Sequence, residues 1–318
     1  FKFDIRRRTG EDVLMVEELK KGFDGRVLFD HVKMHLRAGD RIALIGDNGT
    51  GKSTLIKRIM ETLVIPAIGD PYRAQRARDE LPQSASGRTI MTAEPKFVPE
   101  EAVELRMEDG TGFSVRLIDC VGYMVPGAVG QFEDLAPRMV MTPWFDQPIP
   151  MTEAAEIGTK KVITDHSTVG IVVTTDGTVT DLPREDYEEA EERVIRELQA
   201  IGKPFVVIVN SAEPESEYAR TLAQEMSRRY EVKCLPVNCL TMTDEEMTAL
   251  LQGLLYEFPL QELDLYLPSW VEALSADHPI KNTLYETIAA ETQNLYHIRE
   301  LDSALKAMRC CESISGAA

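Results

Sequence analysis

An α/β fold with a mostly parallel sheet flanked by helices is predicted by three observations. Short, β-branched apolar runs recur along the chain, helical patterns separate them, and the first run passes directly into a glycine-rich turn that opens a helix. The runs at 42–45, 115–118, 170–173 and 205–209 are nearly continuous rather than alternating, which is how strands buried on both faces of a parallel sheet read. They are taken as four central strands.

The remaining elements follow in order. A helix over 52–63 follows the first strand and one over 152–163 precedes the third. Residues 184–201 place Val194, Ile195, Leu198 and Ile201 on one face behind an acidic first turn, so a third helix is expected there. A further unit reads helix over 215–230, extended over 232–237 and helix over 244–256. Strand alternating with helix is the rhythm of a doubly wound sheet. Ahead of this core, residues 26–36 alternate Val27, Phe29, Val32, Met34 and Leu36, which predicts one or two antiparallel strands with a mild irregularity. Residues 72–87 are polar and Arg-rich and read as a surface loop. After Pro259 the rhythm changes to a short extended piece at 262–267 and a long polar helical pattern over 280–308. The expected organisation is an N-terminal β-rich segment (1–39), a main domain (40–260) and the start of an α+β extension (261–318).

Composition narrows the function. The chain has 318 residues, 43% of them hydrophobic, enough for a sizeable core. With 35 basic against 53 acidic residues the net charge is −18, so nucleic acid is not an expected partner. Arg6-Arg7-Arg8 and the basic stretch at 73–78 are short enough to be solvated surface. Cys120, Cys234, Cys239, Cys310 and Cys311 form no Cys-x-x-Cys pair and no zinc spacing, which fits a reduced, cytoplasmic setting. No apolar run reaches the roughly 20 residues a membrane span needs, and no signal-peptide pattern is visible. Trp144 and Trp270 read as packing anchors.

The chemistry begins at Gly46-Asp47-Asn48-Gly49-Thr50-Gly51-Lys52-Ser53-Thr54, an intact G-x-x-x-x-G-K-[ST] between a strand and a helix. Such a P-loop curls so that successive backbone N–H groups and the helix N-terminus face phosphate oxygens. Lys52 is then the phosphate lysine, and Ser53 a ligand to Mg²⁺. The loop at 72–87 is expected near that nucleotide. A second carboxylate must help hold the ion, and Asp119 ends an apolar strand and opens Asp119-Cys120-Val121-Gly122, a D-x-x-G. In GTPase-like P-loop proteins the glycine of this motif donates its N–H to the γ-phosphate. A threonine that senses Mg²⁺ and γ-phosphate should fall between the two motifs. Thr89 and Thr92 both do; Thr92 is preferred, and an ordinary surface hydroxyl would account for it equally. At the end of the later strand Asn210-Ser211-Ala212-Glu213 keeps the asparagine of the guanine-reading N-K-x-D and departs from the rest, which favours ATP over GTP. No general base is evident, as is common where the attacking water is oriented rather than deprotonated.

Long stretches carry a family resemblance: ELPQSASGRTIMTAEPKF (80–97), VRLIDCVGYMVPGA (115–128), TPWFDQPIP and EAAEIGTKKVITDHSTVGIVVTTDGT (142–178), GKPFVVIVNS (202–211) and LYEFP (255–259). From Thr50 onward the chain resembles the stage IV sporulation protein A family. The resemblance implies a translation-factor-like P-loop fold with ATP and Mg²⁺ as cofactors. It also implies hydrolysis that drives self-assembly into the basement layer of the spore coat, on the mother-cell side of the forespore. The implied partners are further copies of the chain, other spore coat morphogenetic proteins and a small membrane-bound sporulation peptide. By the same resemblance Lys52, Asp119 and Thr92 are catalytic. From the motifs themselves, Ser53 and Asp119 are expected to hold the metal, and Gly46 to Thr54 with Gly122 and Asn210 to bind nucleotide. Ala93 stands where the family has a second sensor threonine, and the family continues beyond residue 318 into further domains.

Residues 3–54 instead resemble the start of an ABC subfamily F nucleotide-binding domain, in which Phe23 would stack on adenine. An ABC-type translation factor is therefore one alternative, although no L-S-G-G-Q-like signature follows. A protein that binds nucleotide as a structural ligand without turnover is another.

Overall fold

The computed structural model describes residues 12–23, 26–37, 41–47, 49–82, 95–106, 112–125, 132–133, 136–260, 263, 267, 269–275 and 277–309. Two compact units are present, one formed by residues 39–254 and one by 1–38 with 255–318.

In the second of these units, β1 (Asp12–Phe23) pairs antiparallel with β2 (Arg26–Arg37). The expected irregularity is a series of register shifts along the pair, the first between Asp12 and Leu14. The partner strand β1 was not anticipated, because its Glu17, Glu18, Lys20 and Lys21 break the apolar alternation.

The larger unit is built on a six-stranded sheet ordered β12-β11-β10-β3-β5-β4. Strands β3 (Arg41–Gly46), β5 (Gly112–Asp119), β10 (Val169–Thr175), β11 (Phe205–Asn210) and β12 (Cys234–Val237) run parallel, and β4 (Lys96–Arg106) lies antiparallel on β5 at the edge. Every residue of β10 and β11 is buried, as continuous apolar runs require. The edge strand escapes a pattern reading because Pro99, Glu100 and Glu101 interrupt its apolar residues, and its register with β5 shifts between Val98 and Val103. Short pairs β6 (Phe132–Glu133) with β7 (Ala136–Pro137), and β8 (Met139–Thr142) with β9 (Phe145–Pro150), precede the fourth helix.

Helix α1 (Lys52–Ile59) continues through a π-helical turn at Met60–Val64 into the short α2 (Ile65–Ala67) and buries Leu55, Ile56 and Ile59. Residues 71–79, expected to be loop, form helix α3 (Pro71–Asp79). Its local signals are sound: Asp70 accepts from the Tyr72 N–H at 2.8 Å, Pro71 takes the first position, and Ala74 and Ala77 are buried. Two of the arginines that give the segment its polar, loop-like pattern are paired, Arg73 with Glu101 and Arg76 with Glu80 and Glu100. Residues 83–94 lie outside the described residues.

Helix α4 (Met151–Lys161) passes into a π-helical turn at Val162–His166. The acidic start of α5 (Glu185–Ala200) complements the helix dipole, and its inner face buries Tyr187, Ala190, Val194, Ile195 and Leu198. The helix stops at Gly202, whose positive φ of 64° lets the Gly202 N–H reach Gln199 O (3.0 Å) and the Lys203 N–H reach Leu198 O (3.1 Å). Helix α6 (Glu217–Tyr230) is capped by Ser216, and α7 (Asp244–Tyr256) runs over the expected residues. Val162, Ile163, α5 and α6 share one core cluster with Ala43, Ile45, Ile118, Val172, Val207 and Val209, which alternation places on one face of the sheet. Each fully buried valine, isoleucine or leucine of the cluster contributes about 1.5–3 kcal/mol.

Beyond α7 lie α8 (Ser269–Glu272), α9 (Pro279–Thr292) and α10 (Leu301–Arg309). The single long helix expected over 280–308 is broken because residues 296–298 pair with 258–260. The Leu260 N–H donates to Tyr296 O (2.8 Å) and the Ile298 N–H to Phe258 O (3.2 Å), and His297 with Glu300 forms a capping box that restarts the helix. Most of the extended piece expected at 262–267 lies outside the described residues. Trp144 is half-buried beneath Lys161, but Trp270 is 56% exposed and anchors no core. No helix among the described residues is long and apolar enough to cross a membrane.

Candidate functional site

The sheet delivers the motif residues to one end, because parallel neighbours bring their carboxyl termini together. β3 ends at Gly46, its neighbour β5 at Asp119, and β10 and β11 close beside them at Thr175 and Asn210.

Between β3 and α1 the chain turns around the Lys52 ammonium, which donates to Gly46 O at 2.7 Å and to Asp47 O at 2.6 Å. Thr50 tightens the same turn through its hydroxyl, which donates to Asp47 O at 2.9 Å. An ammonium has three donors, so one remains with no acceptor among the described residues. Lys52 is buried, and this desolvation lowers its pKa while Asp119 and Asp47 oppose the change. A phosphate arriving at this point meets a cation short of solvent, where charge pairing is strong.

Ser53 and Asp119 meet directly, the serine hydroxyl donating to Asp119 Oδ2 at 2.8 Å. Burial raises the Asp119 pKa, against the pull of Lys52, the Ser53 bond and Lys96. These two oxygen donors fit Mg²⁺, which usually takes one or two protein oxygens and fills its octahedron with waters and substrate phosphates. No group of three or more His, Cys, Asp or Glu among the described residues forms a dedicated metal cage. A bound ion would hold Asp119 ionised.

Gly122 lies directly over the start of the phosphate loop. Its φ is 87°, and a Cβ added there would stand 1.7 Å from Gly46 O. Only glycine lets the segment after β5 approach this closely.

Asn210 braces the loop from the other side. Its amide nitrogen donates to Thr50 O at 2.8 Å and its amide oxygen accepts from the Cys239 N–H at 3.0 Å. A Cβ on Gly51 would meet that nitrogen at 2.4 Å. The asparagine chosen as a nucleotide contact thus touches the phosphate loop and the segment after β12. Gly49 and Thr54 lie in the loop and the first helical turn. Asn48, Thr89, Thr92 and Ala93 lie outside the described residues, as does the side chain of Phe23.

Asp47, read from the sequence only as part of the phosphate loop, has an unusual environment, and Arg184, Glu191 and Tyr123 were not read from the sequence at all. Asp47 is 1% exposed with no hydrogen-bond partner for Oδ1 among the described residues, and burial lifts its carboxyl from 3.8 to about 7. Buried Arg184 holds Glu191 through two contacts, Nη2 to Oε1 at 2.9 Å and Nη1 to Oε2 at 2.7 Å, and donates to the Thr174 hydroxyl at 3.1 Å. Tyr123, following Gly122, is buried and bonds to Glu197. The only sequence signals were a charged residue at an otherwise apolar helix position and an aromatic next to the D-x-x-G.

Comparison with known proteins gives the family. Residues 26–259 match the stage IV sporulation protein A ATPase domain and residues 260–318 its middle domain. Stage IV sporulation protein A of Bacillus subtilis (strain 168) is 46% identical over 261 residues, covering 82% of this chain and 53% of that protein. The Clostridioides difficile (strain 630) protein of the same name is 44% identical over 279 residues, covering 88% and 57% respectively. The chain spans about half the length of these curated relatives. An ABC transporter ATP-binding protein of Bacillus subtilis, YfmR, is 51% identical over 47 residues, 15% of this chain. With both domain matches spanning residues 26–318 and a P-loop backed by an aspartate on the neighbouring strand, the chain belongs to the stage IV sporulation protein A family.

Proposed function

We propose that this chain binds and hydrolyses ATP with Mg²⁺, and that turnover drives its assembly with further copies of itself. The observation that carries the reading is the convergence of Lys52, Ser53 and Asp119 at the adjoining ends of β3 and β5, with Gly122 laid over the loop. Phosphoryl transfer needs little covalent help from the protein, so positioning and charge neutralisation are the work of such a site. Lys52 would neutralise the β- and γ-phosphates with its remaining donor, and the Gly122 N–H would bond the γ-phosphate. Ser53 and Asp119 would hold the ion, which draws charge from the phosphate oxygens when bound. Thr92 is the proposed sensor of ion and γ-phosphate. Asn210 would keep Thr50 and Gly51 in place beneath the phosphates, and the N-S-A-E sequence at 210–213 supports ATP over GTP.

The name of the family supports a sporulation role. We place the product of assembly in the basement layer of the spore coat, in the mother-cell cytoplasm at the forespore surface. Other coat morphogenetic proteins and a small membrane-bound sporulation peptide are the proposed partners. The net charge of −18 argues against nucleic acid, and with it against a ribosomal role of the ABC type.

The test is Mg²⁺-dependent hydrolysis of ATP and GTP by the purified chain and by Lys52→Ala, with light scattering followed in the same tube. ATP-preferring turnover that the variant loses is expected, with scattering rising only as turnover proceeds. Turnover retained by Lys52→Ala would overturn the site. Scattering indifferent to ATP would overturn the link to assembly, and binding without hydrolysis would favour a structural nucleotide.

A further inference from the structure

The segment that leaves Asp119 is pinned at both ends. At one end Asp119 accepts the Ser53 hydroxyl. At the other, Tyr123 turns inward, 2% exposed, into the core cluster that also contains Val194, Ile195 and Leu198 of α5. Its hydroxyl donates to Glu197 Oε2 at 2.5 Å, and the Arg193 guanidinium lies 3.9 Å from its ring centroid. Arg193 in turn donates to Glu197 at 3.3 Å and to Glu156 of α4 at 3.0 Å. Burial, reinforced by the Glu197 acceptor, drives the Tyr123 pKa far above its ordinary value, so the hydroxyl stays a donor at neutral pH.

Gly122 sits between these anchors. It has no side chain of its own, and its φ of 87° is open to glycine in many directions. Its N–H approaches the buried Cys120 sulfur and its backbone packs over Gly46, so its place is set by those contacts together with the residues on either side. Asp119 is three residues back, whereas Tyr123 is adjacent and rigidly seated.

We propose that Tyr123 is a positioning residue for hydrolysis: its seated ring and its hydroxyl bond to Glu197 aim the Gly122 N–H at the γ-phosphate. The proposal rests on the reading of Gly122 as a γ-phosphate donor. A sub-ångström shift at Gly122 would leave ATP bound through Lys52 and the phosphate loop, yet weaken the contact that grows as charge develops on the transferred group. The latch therefore acts on kcat rather than on KM. Its outer members are partly solvent-exposed, with side-chain exposure of 31% at Glu197 and 44% at Arg193, so the latch can be cut from the surface without opening the core.

The experiment uses the full chain with Tyr123→Phe, which keeps the ring, and Glu197→Ala, which removes the acceptor from outside. Each is expected to lower kcat for ATP about tenfold, the weight of one charge-assisted hydrogen bond, with KM within about twofold. The double variant should be no slower than the slower single variant, because both delete the same bond. Unchanged kcat in either variant overturns the proposal. So does a rise in KM with kcat preserved, or a kcat loss that tracks a fall in melting temperature, since either is what packing alone would produce. A wild-type chain without Mg²⁺-dependent turnover would overturn the site's reading as a whole, a result that the variants cannot mimic.

Discussion

Replacing Asp47 with Asn is expected to stabilise the chain progressively more as pH rises. The Asp47 carboxyl is 1% exposed and its Oδ1 has no hydrogen-bond partner among the described residues. Burial, with a smaller push from Glu191, lifts its pKa from 3.8 to about 7 against the pull of Lys52 and Arg184. A folded pKa above the unfolded one means the native state holds the proton more tightly. The associated stability is whole below pH 3.8 and is lost as pH rises through about 7. At about 1.4 kcal/mol per pH unit the full loss is about 4 kcal/mol, of which about 2–3 kcal/mol falls between about pH 5 and about pH 8. Asparagine has nearly the same shape and never ionises. Urea unfolding of both proteins across that range should show the variant's advantage widening by about this amount. An advantage that stays constant with pH would refute the reasoning, because it would mean that Asp47 is ionised, and compensated, throughout.

Three other outcomes follow from the same geometry. Gly122→Ala forces a Cβ to within 1.7 Å of Gly46 O, so single-turnover hydrolysis should slow by about 10²-fold or more, and wild-type rates would contradict the packing. Glu191→Ala strands the buried Arg184 guanidinium and should cost about 3–5 kcal/mol in urea unfolding, whereas an exposed pair would cost under about 1 kcal/mol. Asn210→Ala removes the bonds to Thr50 O and the Cys239 N–H, and a fluorescent ATP analogue should bind about tenfold more weakly at equilibrium.

The legible elements were those whose signals are local. The strands β3, β10 and β11 are buried on both faces and, like residues 115–118 of β5, announce themselves as apolar runs, and α5 and α7 carry apolar faces behind acidic starts. The elements that were missed depend on partners far away in the chain. β4 is a strand because β5 offers it an edge, despite Pro99 and two glutamates in its middle. Helix α3 carries an Arg-rich, loop-like pattern, and Glu100 and Glu101 of the neighbouring strand pair with its Arg76 and Arg73. The break between α9 and α10 exists because residues 258–260 claim the backbone groups of 296 and 298.

The same division runs through the site. Gly46 to Thr54 is contiguous, so its turn, its lysine and its serine are encoded side by side, and the D-x-x-G marks Asp119 and Gly122 because a glycine is needed wherever backbone must touch backbone. The sequence by itself therefore determined that a phosphate loop precedes a helix and that an aspartate closes a buried strand. Only the tertiary structure decided that Asp119 bonds Ser53, that Asn210 holds Thr50 and Cys239, and that Tyr123 is tied to Glu197. Those are contacts that side chains make with side chains or backbone brought together by strand order and helix packing, and a hydrogen bond a few ångströms long leaves no periodic trace in residues far apart along the chain.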